Sequence, residues 1–202
     1  MENSENKQLE ELEVDADFAK TEAEEPGNDP AEEEYVPKNR YERVLYSVYK
    51  NETLAPILAV LSYVIVGIAA YAFIWRTVNL IVSDIWEAVW LLLVTGVPFV
   101  LVSVARRIIN APRPYELLEF YKDKPKSKKG QSFPSRHVFS IELIGVALMP
   151  WSLFVGIGLL VLGAALSLIR VLLGIHFVRD VVAGALIGVV SGAIGLLIHY
   201  LI

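Results

Sequence analysis

The stretch "LAPILAVLSYVIVGIAAYAFI", residues 54–74, holds no charged side chain. Its length suits the roughly 17–25 apolar residues that a helix needs to cross a hydrocarbon core. Lipid offers no partner to a bare N–H or carbonyl, so such a segment must be helical. Trp75 and Arg76 end it with residue types that favour the membrane–water interface. One such span implies a membrane protein, and the number of others decides the fold.

Four more apolar runs lie downstream. Residues 88–105 fit a span, with Pro98 predicted to kink it. Residues 138–149 are short and must borrow from the preceding loop or from Pro150-Trp151. Residues 152–169 and 181–202 fit. Trp86, Trp90 and Trp151 fall near predicted ends. The expectation is all-α: a polytopic membrane helical bundle of about five transmembrane helices. Gly184, Gly188 and Gly192 recur at every fourth position of the last run, a stripe that lets helices pack closely.

Upstream, Tyr41, Val44, Leu45, Val48 and Tyr49 fall on one helical face, with Lys38, Arg40, Arg43 and Lys50 around it. The segment is too short and polar to span. It reads as an N-terminal interfacial amphipathic helix, or as a helix packed on the protein's own spans.

The whole chain is 54% hydrophobic with mean hydropathy +0.48, above the roughly 45–50% of soluble domains. Charge is split. Residues 1–34 carry fourteen acids and two lysines, net −12; the rest carries nine acids and sixteen bases, net +7. An acidic tail, 1–37, is predicted to be disordered, and 38–202 to form the membrane domain. The bases of that domain border apolar spans, which favours the lipid bilayer as partner over nucleic acid. No cysteine is present, so disulfides and thiol chemistry are excluded. The polar N-terminus shows no cleavable signal peptide.

With five spans, alternation places residues 106–137 and 170–180 on one membrane face. Arg106, Arg107, Arg113, Arg136 and Arg170 gather there with Ser135, His137, His176 and Asp180. Ionisable groups beside spans are costly and mark function. Arginine's planar fork suits phosphate oxygens. His176 and Asp180 lie four apart, so the carboxylate can orient the ring and leave one nitrogen as nucleophile. His137 can then protonate a leaving alkoxide. Two histidines, one oriented by an acid, among arginines suggest phosphoryl transfer through a phosphohistidine.

These residues resemble a known family. Arg106-x6-Arg113-Pro114, "PSRH" at 134–137 and Arg170-x5-His176-x3-Asp180 are similar to the three motifs of type 2 phosphatidic acid phosphatases, KxxxxxxRP, PSGH and SRxxxxxHxxxD. The resemblance implies His176 as nucleophile, Asp180 as its orienting partner and His137 as general acid and later base. It implies phosphate binding by Arg106, Arg113 and Arg170, assisted by the Ser135 hydroxyl and by backbone amides near Arg136. It also implies no metal and no cofactor. Three positions depart from the pattern: the lysine is Arg106, the glycine of PSGH is Arg136, and the serine before Arg170 is Ile169.

Other polar residues are read more plainly. Arg107 is a headgroup anchor or a cytoplasmic stop signal, Asn110 begins a turn, His199 is incidental, and the basic loop 122–130 faces solvent and lipid. Glu142, inside an apolar run, is expected to pair with Arg107 or Arg170, because an unpaired carboxylate there is costly. Lys122, Lys124, Lys126, Lys128 and Lys129 stand on the active-site side against Arg76 on the other, so the positive-inside rule puts the site in the cytoplasm. The expected activity is a membrane lipid phosphatase acting on phosphatidylglycerophosphate, phosphatidate or undecaprenyl diphosphate. The alternatives are a lipid phosphotransferase using the same histidine and a non-catalytic anion-binding protein. Oligomeric state is left open.

Overall fold

Seven α-helices are seen among residues 35–121 and 129–201, which the structure, a computed structural model, describes. The tail assigned to 1–37 lies almost wholly outside these residues. So does most of the basic loop.

Helix α1, Arg40–Lys50, starts at Asn39, whose side chain accepts from the Glu42 N–H. Glu42 reciprocates, taking Asn39 Nδ2 at 2.9 Å and the Lys38 N–H at 2.8 Å. Its inward face is Glu42, Leu45 and Val48, while Val44 is 44% exposed. Tyr46 and Tyr49 stand edge-on to Phe120 at 5.4 and 5.5 Å. The helix thus packs on the protein, against α2 and α6.

Helix α2, Leu54–Ser83, is longer than its apolar run. Residues 75–83, expected in a connecting loop, are helical, because no Gly or Pro breaks the helix after Trp75-Arg76. Thr77 and Asn79 turn their side chains onto the carbonyls of Phe73 and Trp75, at 2.8 and 2.7 Å. That local bonding hides their polarity within the helix. Asp84 alone makes the turn, accepting from the N–H groups of Trp86 and Glu87 to cap α3, Ile85–Ile109. Helix α3 continues through Pro98 and stops at Asn110, whose φ is 43°. A short helix α4, Pro114–Leu117, and a 3₁₀ turn, Glu119–Tyr121, come next.

Helix α5, Arg136–Leu148, is the short apolar run. At 13 residues and about 1.5 Å each it reaches only about 20 Å, too little to cross alone. Val138, Phe139, Ile141, Leu143 and Leu148 are at most 2% exposed, so it sits enclosed by other helices. Its partners are α7, Val178–Leu201, and α6, Leu153–Leu172, with α2 and α3 on its other side. Among the described residues four helices are long and apolar enough to cross a membrane: α2, α3, α6 and α7. The chain is a multi-pass membrane protein.

The glycine stripe explains the tightest contact. A Cβ at Gly184 would stand 2.6 Å from the Ser135 carbonyl oxygen, and one at Gly188 2.5 Å from that of Phe139. Glycine lets α7 lie against the backbone of α5. That approach carries the start of α5 to the start of α7, where the Ser135 N–H donates to the Asp180 carbonyl at 2.8 Å.

Candidate active site

Two loops and two helix starts build the site. After Asn110 the chain turns toward residues 129–135, which Glu116 and Arg106 hold. Glu116 Oε1 accepts the N–H groups of Arg113 and Gly130, at 3.1 and 2.7 Å. The Arg106 guanidinium donates to the carbonyls of Gln131, Ser132 and Pro134. Gly130 and Gln131 both take positive φ, 66° and 54°, so this loop depends on those anchors.

The loop brings Ser132 to the histidine. Its hydroxyl, fully buried, donates to Asp180 Oδ2 at 2.5 Å and lies 3.2 Å from His176 Nδ1. His176 Nδ1 and Asp180 Oδ2 are themselves 3.7 Å apart, beyond a good hydrogen bond. Orientation therefore runs from Asp180 through Ser132 to the ring. Asp180 Oδ2 also accepts the Phe177 N–H at 3.0 Å, and Oδ1 faces Arg179 Nε at 3.5 Å. With Nδ1 engaged, Nε2 is left as the ring's reactive nitrogen. Burial, with Arg113 and Arg106 nearby, holds the His176 pKa below its ordinary value against the pull of Asp180.

His176 borders a cavity of about 520 Å³ shared with His137, Arg106, Arg107, Arg113, Arg136 and Arg170. Tyr63, Ser103, Tyr115, Gln131 and Ile175 complete its wall. Arg170 is 6% exposed, and its Nε and Nη2 have no hydrogen-bond partner among the described residues. Buried donors without acceptors are costly unless a ligand satisfies them. Arg113 Nε donates to Gly130 O at 3.0 Å, and its guanidinium lies over the Tyr115 ring. The arrangement is an arginine-rich pocket with two imidazoles on its wall, suited to an anion.

Ser135 is placed otherwise. It is fully buried at the N-terminus of α5, outside the cavity wall, and its Oγ has no hydrogen-bond partner among the described residues. Arg106 lines the cavity, but its terminal nitrogens are committed to the loop. Glu142 does not pair with Arg107 or Arg170: no ion pair joins it to either among the described residues. It is buried against Gly163, where a Cβ would collide with its carboxylate. The lack of a side chain on α6 gives that carboxylate its room. His199 is 3.5 Å from Glu87 at the far end of the bundle, away from the site.

Sequence reasoning misses two residues here. Arg179 adjoins Asp180 and is visible beside it in the chain. Ser132 gives no signal, because a loop residue 44 positions from His176 announces no contact. Among the described residues no group of three or more His, Cys, Asp or Glu side chains is placed to hold a metal ion.

Comparison with known proteins places this geometry. The profile of the PAP2 superfamily matches residues 87–201. The crystal structure of Aquifex aeolicus LpxE superposes with a TM-score of 0.59 at 25% identity, covering 77% of this chain and 92% of that one. The first transmembrane PAP2 type phosphatidylglycerolphosphate phosphatase from Bacillus subtilis superposes with a TM-score of 0.56 at 22% identity, covering 80% and 85%. A search of curated proteins found no match.

Proposed function

The chain belongs to the PAP2 superfamily, and from that membership we propose that it is a metal-independent lipid phosphatase working through a phosphohistidine. Family and structural neighbours support a membrane phosphatase; the finer reading rests on the site. One observation carries it. His176 is held at Nδ1 by Ser132, with Asp180 behind, beside a cavity that His137 and unpartnered Arg170 donors also face.

In the first step His176 Nε2 attacks phosphorus while the bond to the leaving oxygen breaks. His137 gives that oxygen its proton, and the lipid alcohol departs, or for a diphosphate the lipid monophosphate. Arg113 and Arg170 take up charge on the equatorial oxygens. Amide N–H groups at the start of α5 add a helix N-terminus to the same pocket. Asp180 and Ser132 keep the Nδ1 proton in place and stabilise the charged ring. In the second step His137, now neutral, takes a proton from water, whose oxygen attacks the phosphohistidine. Inorganic phosphate leaves and both histidines return to their first state.

The substrate is a lipid carrying a phosphate monoester or diphosphate: phosphatidylglycerophosphate, phosphatidate or undecaprenyl diphosphate. Positive charge on the active-site side supports a cytoplasmic site. The test is phosphate release by detergent-purified protein from these three lipids with excess EDTA, beside His176→Ala. EDTA-resistant release that the substitution abolishes supports the reading. Release that needs added metal, or that survives in His176→Ala, overturns it.

A further inference from the structure

The arginine pocket adjoins apolar space among the helices. Arg136 and His137 also border an apolar cavity of about 310 Å³, walled by Val66 and Ala70 of α2 and Phe99 of α3. That cavity shares Ala70, Phe99, Ser140 and Ile144 with another of about 350 Å³, which reaches Ile74 and Leu92. Together they trace an apolar path between α2 and α3, floored by α5. From Val66 to Ile74 the path descends about 12 Å along α2. An acyl or prenyl chain fits such a lining, and its headgroup end then lies at Arg136.

Arg136 stands where path and pocket meet. Its guanidinium lies 5.6 Å from the centre of the Phe99 ring and makes no hydrogen bond or ion pair with another described residue. The ring fixes the direction of the planar fork without using its donors. The pocket also holds more positive charge than one phosphate needs. With Arg106 committed to carbonyls, Arg107, Arg113, Arg136 and Arg170 still face it. A single phosphate monoester carries only about −1.5 to −2 at neutral pH.

We propose that Arg136 forms a second-anion subsite, binding the tail-proximal phosphate of a lipid that carries two while Arg113 and Arg170 hold the phosphate at His176. The proposal rests on the phosphatase reading and deepens it. The shared chemistry is a second phosphate between tail and reacting phosphorus, either a phosphodiester separated by glycerol or the inner phosphate of a prenyl diphosphate. Where the family pattern has glycine, this chain has added a fork.

The test compares kcat/KM for dioleoyl phosphatidate, dioleoyl phosphatidylglycerophosphate and a prenyl diphosphate, using wild type, Arg136→Gln and Phe99→Leu in detergent micelles. Wild type is expected to favour two-phosphate lipids over phosphatidate. In Arg136→Gln that preference falls roughly tenfold or more, the size of one lost charge-assisted contact. Phe99→Leu, which keeps the charge and removes its platform, moves the ratio the same way by less. A loss confined to KM identifies the glycerol-spaced phosphodiester. A loss in kcat identifies the diphosphate, whose inner phosphate is the leaving group. An unchanged ratio, whether all lipids lose equally or none does, overturns the subsite while leaving the phosphatase reading intact. No hydrolysis of any lipid by wild type overturns both.

Discussion

Ser132 stands between Asp180 and His176: its hydroxyl is 2.5 Å from the carboxylate and 3.2 Å from Nδ1, while carboxylate and ring are 3.7 Å apart. A serine hydroxyl suits this bridge because it donates on one side and accepts on the other. Ser132→Ala breaks the bridge without adding bulk. The expected result is a kcat lower by roughly 10–100-fold, matching about 1.5–3 kcal/mol for a hydrogen bond to a charged group. KM for the same lipid stays near its wild-type value. Initial-rate kinetics check this, and an unchanged kcat removes Ser132 from the mechanism.

His137 reaches the pocket from the first turn of α5 and is the second imidazole on its wall, beside His176. His137→Gln keeps a polar side chain but cannot pass a proton. Lipid hydrolysis is expected to fall by roughly 10²–10⁴-fold, the usual size of a general acid–base contribution. A leaving group that departs without a proton narrows the deficit in the first step. Equal deficits for both kinds of substrate count against His137 as the acid.

Acid sensitivity is expected from the burial of His176. Burial lowers the His176 pKa in the folded state, so the unfolded chain takes up the proton first, near pH 6.5. Stability from this group is therefore full above about pH 6.5 and declines as pH falls below it. In the proposed mechanism the neutral ring attacks phosphorus, so the acid limb of kcat/KM is expected below pH 6.5. Asp180→Asn removes the charge that raises this pKa and moves the limb lower still. A limb above pH 6.5, or an upward shift in Asp180→Asn, contradicts the assignment.

Helix α7 meets α5 through backbone, and Gly188 is the test. Gly188→Val puts a branched side chain where a Cβ alone would be 2.5 Å from the Phe139 carbonyl oxygen. Overpacking of this kind costs about 1–3 kcal/mol, so the thermal midpoint in detergent drops by several degrees. Gly158→Ala is the control, since a Cβ there meets nothing within 4 Å. Its midpoint stays level or rises, because alanine suits a helix interior better than glycine.

Much of this is written in the chain. Apolar length marks the spanning helices, and the spacing of His176, Asp180 and Arg170 marks one side of the pocket, because such patterns are local and periodic. The rest is set by tertiary contact. The helix after Trp75 continues because no Gly or Pro stops it, while Thr77 and Asn79 hide their polarity on its own carbonyls. Arg106 reads as a phosphate ligand by position, yet its fork fastens three carbonyls of a loop some 25–28 residues away. Glu142 pairs with no arginine among the described residues; Gly163 leaves its side chain room against α6. Ser132 becomes a bridge only once that loop has been folded against α7.

The central claim is a phosphate carried on His176. Its most direct measurement is a pre-steady-state reaction of p-nitrophenyl phosphate with His137→Ala protein, followed by mass spectrometry of the alkaline-quenched chain. This leaving group departs without a proton, so phosphorylation proceeds while its hydrolysis, lacking a base, stalls. The account predicts a burst approaching one nitrophenolate per chain, with an acid-labile phosphate on His176. Linear nitrophenolate release with no phosphate on the chain would contradict it.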